Sequence, residues 1–377
     1  MTRRAIALLL LLPFLAAQTP PDTRTLAQLQ RAFAAQREAQ YSGDKAPTRE
    51  QEQELLKRQL DELAAFVEHE AKGDDRFDGQ VALCERALQL RQKDRALAAC
   101  KQLDRDGVPV LTAMTGAELA VELGEKALRE SLVLRALKAA GDDVVQQLQI
   151  ARILMTRLRD VARGEQLVAA ALAAAKDDEQ RALVRWYECE AIREREDLPE
   201  NSYYEALEKL GTELPKTYWG SVARDRNEAS QFAIGTRVFD FAATAVDGTK
   251  VTRADLDGRA AALVFCAIAE PGSESLFAAL LALSKAADTL SIVVIATDAD
   301  AKAATAAAEK LGKGLRVMCD GRGLRGDLLL RFHVEAVPTV IALDGRGNIA
   351  GLNLHVETRD ARAEFDEAMA RALQKAK

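Results

Sequence analysis

The pattern of apolar and polar positions changes once along this chain of 377 residues. From Thr23 to about Phe232 the apolar residues recur at steps of three and four, the period of amphipathic helices. In "QEQELLKRQLDELAAFVEHEAK" this spacing sets Leu55, Leu56, Leu60, Leu63 and Phe66 on one face and leaves the charges elsewhere. "QVALCERALQL", "DRALAACKQL", "DDVVQQLQIARILMTRL", "GEQLVAAALAAAK", "DEQRALVRWYECEAIRERE" and "NSYYEALEKLG" continue the pattern, separated by short polar or glycine gaps. Helical hairpins stacked side by side are expected, either as a tetratricopeptide-like solenoid or as an irregular bundle, since no fixed period holds from end to end. "GDDRFDG" and "LDRDGVPV" read as turns, and "LPENSYYEAL" as a proline followed by a helix start.

After "SQFAIGT" short apolar runs alternate with helical patterns. "AALVFCA" (Ala261 to Ala267), "LSIVVIAT" (Leu290 to Thr297), "LRVMC" (Leu315 to Cys319), "TVIAL" (Thr339 to Leu343) and "IAGLNL" (Ile349 to Leu354) are predicted strands. Runs of nearly continuous apolar character imply a sheet covered on both faces, hence an α/β domain. "DGRGN" predicts a tight hairpin between the last two strands. The organisation expected is therefore multidomain: an all-α region over 23–232 and an α/β domain over 235–377.

Composition adds direction. The chain is 48% hydrophobic and only 5% aromatic, with a formal net charge of −6. "MTRRAIALLLLLPFLAAQTPPD" carries two arginines, an apolar run from Ala5 to Leu15 and the small pair Ala16-Ala17, the layout of a cleaved secretory signal over residues 1–17. A retained membrane anchor is the rival reading, with a run short for a span of about 20 residues. Cleavage removes Arg3 and Arg4 and no acid, taking the net charge to −8. An exported chain, periplasmic or otherwise extracytoplasmic, with no membrane span after cleavage, is expected. An acidic chain lacks the basic footprint of a nucleic-acid binder, so a protein partner is expected instead.

The five cysteines, Cys84, Cys100, Cys189, Cys266 and Cys319, show no Cys-x-x-Cys spacing, and His69, His333 and His355 form no metal-ligand cluster. No metal and no cofactor are expected. Cys84 and Cys100 fall on consecutive helices, where they either staple a hairpin or pack as core residues. "GRGLRG", Gly321 to Gly326, matches a dinucleotide fingerprint but lies too late in the domain for one. His333 reads as a packed or surface histidine, and the aromatics Trp186, Tyr187, Tyr203, Tyr204, Tyr218 and Trp219 as core packing or, less favoured, as the lining of a partner groove.

"FDFAATAVDGTKVTRADLDGRAAALVF", then "IVVIATD", then "FHVEAVPTVIALDGRGNIAG" occur in an order that resembles the redoxin group of the thioredoxin-like superfamily, especially TlpA-like and AhpC/TSA-like proteins. The resemblance covers about Gly235 to Leu373. It implies a thioredoxin-like fold, a cis bond before Pro338 in the loop Val337-Pro338-Thr339, and a reactive cysteine at the turn after "LVF". That turn breaks the pattern. In the TlpA-like register Trp-Cys-x-x-Cys falls on Ala269-Glu270-Pro271-Gly272-Ser273, and in a peroxiredoxin-like register the cysteine falls near Ser275. Neither register finds a thiol, and neither glutamate nor serine exchanges disulfides.

Two readings follow. In the first, this is an exported thioredoxin-fold protein without standard thiol chemistry, a pseudo-enzyme that binds or scaffolds proteins in the cell envelope. In the second, it is a thiol-disulfide oxidoreductase or peroxidase that works through displaced cysteines, Cys266 and Cys319. Serine at 273 is read as a helix cap.

Overall fold

The computed structural model describes residues 24–42, 46–199, 201–268, 273–311 and 315–374. The expected signal segment, 1–17, lies outside the described residues. Two compact units emerge, residues 1–169 and 170–377, and the division falls within one helix.

The first unit is helical, as the three-and-four spacing requires. Its helices are α1 (Leu26–Tyr41), α2 (Arg49–His69), α3 (Asp74–Gln89), α4 (Lys93–Lys101), α5 (Val110–Leu123), α6 (Lys126–Ala140), α7 (Val144–Thr156) and the first part of α8 (Val161–Ala174). Thr25 and Thr48 start α1 and α2 with capping boxes, in which Gln28 and Gln51 return the bond to the cap backbone. "GDDRFDG" is not a turn beyond Gly73: Asp74 and Asp75 form the first turn of α3. Acids favour that position because unpaired amides give a helix N-terminus a partial positive charge. Gly124 ends α5 in the left-handed conformation, at φ 79°, which a side chain would strain. The apolar faces meet in one core around Leu60, Phe66, Leu103, Met114 and Leu132. Helix lengths run from 9 residues in α4 to 21 in α2.

The second unit opens with α9 (Asp178–Glu194), α10 (Ser202–Glu213) and α11 (Tyr218–Ala229). A short hairpin follows, β1 (Ala242–Thr244) with β2 (Lys250–Thr252), which the apolar pattern did not announce. Then come β3 (Ala260–Cys266), α12 (Glu274–Ala286), β4 (Leu290–Ala296), α13 (Ala301–Leu311), β5 (Leu315–Met318), α14 (Asp327–Arg331), β6 (Thr339–Leu343), β7 (Ile349–Leu354) and α15 (Arg359–Gln374). The sheet order is β5-β4-β3-β6-β7, with β3, β4 and β5 parallel and β6 and β7 antiparallel to their neighbours. A central strand that passes through a helix to a parallel neighbour, with an antiparallel hairpin on its other side, is the thioredoxin arrangement implied by the sequence order.

Every residue of β3 and β4 is buried, as their unbroken apolar runs require. The period of two sends Ala260, Ala262, Val264 and Cys266 to one face, against Phe277 of α12 and Phe365 of α15. Ala261, Leu263 and Phe265 face the other way, against Phe239, Phe241 and Phe332. Full burial of a side chain such as Phe265 contributes about 1.5–3 kcal/mol.

Candidate functional site

β3 ends and β6 begins at the same end of the sheet, and neither brings an exposed thiol there. Residues Ala269, Glu270, Pro271 and Gly272 of the former active-site turn lie outside the described residues. Ser273 is buried, and Ser275 is exposed on the first turn of α12. The helix-cap expectation for Ser273 fails. Its backbone is already helical, at φ −82° and ψ −9°, and its side chain makes no cap bond. Its hydroxyl instead donates back across the turn to the Ala267 carbonyl at 3.0 Å.

Cys266 is the last residue of β3 and is fully buried. Burial pushes its thiol up to about 12, against the pull of the Ser273 hydroxyl and with a small push from Asp298. Burial thus works against the thiolate that attack requires. Cys319 follows β5, is half-buried, and donates to the Asp298 carbonyl at 3.2 Å. Burial raises its thiol as well, while the Gly321 amide pulls it down. The Asp298 carboxylate accepts from the Ile268 amide at 2.8 Å and so ties the end of β4 to the end of β3.

Both cysteines pack on the same face of the sheet, but one strand lies between them. Cys266 pairs across with Ala296 of β4, and β4 then pairs with β5, where Ile295 faces Met318. Two strand spacings separate their backbones by about 10 Å. A disulfide needs Cα atoms within about 7 Å.

The cis-proline loop lies beside this end of the sheet. The Val337–Pro338 peptide is cis. Val337 is partly buried against the Phe332 side of the sheet, and Thr339 begins β6 with its Oγ1 buried and without a hydrogen-bond partner. Upstream, the loop is fastened to the three helices of its own unit. Arg193 of α9 donates to Glu335 at 2.9 Å and to Glu190 at 3.0 Å. His333 Nε2 lies 3.2 Å from Glu335, and its ring packs 6.3 Å from both Tyr203 and Tyr204, so it is the packed histidine expected. Burial and the nearby Arg226 guanidinium hold His333 below the usual histidine range. Burial alone would raise Glu335, but His333, Arg193 and Arg226 win and lower it.

A second fastening runs through α14. Arg331 donates to Asp225 at 2.5 Å, to Ser221 at 3.1 Å and to Asp327 at 3.0 Å, while the Tyr218 hydroxyl donates to Asp327 at 2.7 Å. Behind it, Trp186 stacks on Trp219 at 4.9 Å and Arg226 lies over Trp186 at 5.6 Å. Trp186 and Tyr203 are buried in the core of α9, α10 and α11, with Tyr187, Tyr204, Tyr218 and Trp219 partly buried against it, and Tyr203 and Tyr204 also line a cavity. The charged residues were not singled out from sequence, although the clustered aromatics marked the region.

Between α9, α10 and the cis-proline loop lies a cavity of about 390 Å³ lined by Arg193, Arg195, Tyr203, Tyr204, His333 and Glu335, among others. "GRGLRG" makes no phosphate cradle. The amides of Arg322 and Asp327, which an anion would take, already donate to Asp320 at 3.0 and 2.9 Å, and the following helix has five residues. No group of three metal-ligating side chains occurs among the described residues, and no helix among them is long and apolar enough to cross a membrane.

No family model matches the sequence, and no curated protein matches it. Solved structures do. One is a C-terminal domain assigned as a thiol-disulfide oxidoreductase from Bacteroides thetaiotaomicron: 19% identity, 38% of this chain and 97% of that one, TM-score 0.33. A thiol:disulfide interchange protein of the thioredoxin family from Chlorobium tepidum matches at 25% identity over 37% of this chain and 98% of its own, TM-score 0.31. A secreted disulfide oxidoreductase from Mycobacterium tuberculosis matches at 23% identity over 35% and 93%, TM-score 0.29. Each spans little more than a third of this chain, and the fold itself stands on the strand order above.

Proposed function

We propose that this is an exported thioredoxin-fold protein that has lost dithiol exchange and works by binding protein partners in the cell envelope. The observation that carries the reading is the placement of Cys266. It is the thiol nearest the former active-site turn in sequence, yet it is sealed in the core, with its acidity suppressed and Cys319 a full strand away. Attack on a disulfide needs an accessible thiolate, and burial removes both conditions.

What remains usable is the cis-proline loop and the cavity beside it. Two arginines, two tyrosines, a histidine and a glutamate offer hydrogen bonds and flat apolar faces to an extended chain segment. The fastening of the loop to α9 and α10 holds that surface in one shape, so little ordering is left for binding to require. Export is supported by the signal-like first residues.

The test is capture from an envelope extract by the wild-type protein and by a Cys266→Ser/Cys319→Ser variant, each resolved on non-reducing gels. Equal capture without covalent adducts supports binding. Adducts that vanish in the double variant would return the domain to thiol exchange.

A further inference from the structure

The helical unit holds a thiol pair of a different kind. Cys84 lies on α3 and Cys100 on α4, and neither side chain has any exposed surface. The two helices are consecutive, joined by the turn at Leu90–Gln92, and they meet through Ala87, Ala96 and Ala99. Methyl side chains at the contact let the helix axes approach closely. The two thiols interact side chain to side chain across the contact of α3 with α4. Behind them the Cys100 sulfur lies 3.4 Å from the Gly116 carbonyl of α5. A Cβ at Gly116 would stand 2.9 Å from the Leu103 side chain, so this third helix is also packed tight against the pair.

We propose that Cys84 and Cys100 close a disulfide that staples α3 to α4. The oxidant is a disulfide of a small thiol, such as oxidised glutathione. One cysteine thiolate attacks it, forming a mixed disulfide and expelling one small thiolate. The second cysteine attacks the mixed disulfide, forming the Sγ–Sγ bond and expelling the other. Two thiol protons leave the protein and two small thiols are produced, so the two electrons given up by the cysteines reduce the oxidant. The step belongs to the folding chain or to an opened hairpin, because the folded core excludes the oxidant. The bond encloses a short loop, and cross-links of this kind stabilise largely by restricting the unfolded chain.

The test uses the full chain, unfolded and reduced, then refolded in a glutathione buffer containing the oxidised form. The product is quenched, unfolded, alkylated with iodoacetamide and digested. The expected result is alkylation of Cys189, Cys266 and Cys319 only, with one reducible peptide pair joining Cys84 to Cys100. Alkylation of all five cysteines, glutathione left on either residue, or a bond to any other partner overturns the proposal. A second reading guards the stapling role. Reductant should lower the melting temperature of the oxidised protein by about 5 °C or more and leave a Cys100→Ala variant unmoved. A wild-type melting temperature indifferent to reductant overturns the staple.

Discussion

The helical unit buries two cysteines in one core, the sheet domain sets one buried and one half-buried cysteine against its own, and the two regions place their pairs in opposite ways. Cys84 and Cys100 sit on consecutive helices of one core, and their side chains interact. Cys266 and Cys319 share a face of the sheet but flank β4, so a whole strand keeps them apart. Burial is alike in the first pair and in Cys266, yet only the first pair can bridge. Chemistry is thus decided by adjacency in the fold, and a domain with the architecture of a dithiol exchanger carries its closest thiols elsewhere in the chain. The units also differ in cohesion. Apolar side chains dominate the first, whereas α11 and α14 of the second meet through the buried Arg331–Asp225 pair, whose side chains are 16% and 9% exposed.

The largest effect expected on this contrast comes from Arg331→Ala. Removing Arg331 leaves the buried Asp225 with only the longer Arg224 contact, 3.4 Å, and costs about 3 kcal/mol, the low end for a broken buried pair. In thermal unfolding followed by hydrogen exchange, protection should collapse in 170–377 and hold in 24–169. Equal loss in both would erase the distinction in cohesion. Next in size is the thiol pair: an oxidised Cys84–Cys100 bond should add about 3 kcal/mol to the helical unit, and oxidant should add nothing to the sheet unit. Protection gained in the sheet unit on oxidation would reverse the contrast.

The smallest effect is one of pH. The folded-state affinity of His333 for protons is depressed by burial and by Arg226, so the unfolded chain binds the proton first as pH falls. Stability present above the unfolded value of 6.5 should be lost as pH drops through the folded one, and Glu335, also depressed, should extend the loss below 4.5. A melting temperature for the second unit lower by about 1–3 °C at pH 5.5 than at 7.5, with the difference reduced in His333→Gln, is the expected result. A melting temperature that rises on acidification would reverse the sign.

Much of this was legible in the residues. Strands β3, β4, β6 and β7 announced themselves as apolar runs bounded by turn chemistry, and the helices by their spacing. The β1–β2 hairpin did not, because three-residue strands with exposed ends carry too little pattern. "GDDRFDG" misled because acids that complement a helix dipole are also common in turns. At the site, the unbroken apolar run of β3 is what buries Cys266. The fastening of the cis-proline loop was hidden, since Asp225 and Arg331 are 106 residues apart and pair only through the fold. Ser273 was misjudged because a cap depends on backbone angles that its residue type does not reveal.

The central claim is that this thioredoxin fold does not exchange disulfides. It is tested most directly by insulin reduction with dithiothreitol, using the full chain beside Cys266→Ser and Cys319→Ser. The expected rate equals that of dithiothreitol alone for all three proteins. A wild-type rate above that background, falling in either variant, would contradict the account and make the two separated cysteines a working site.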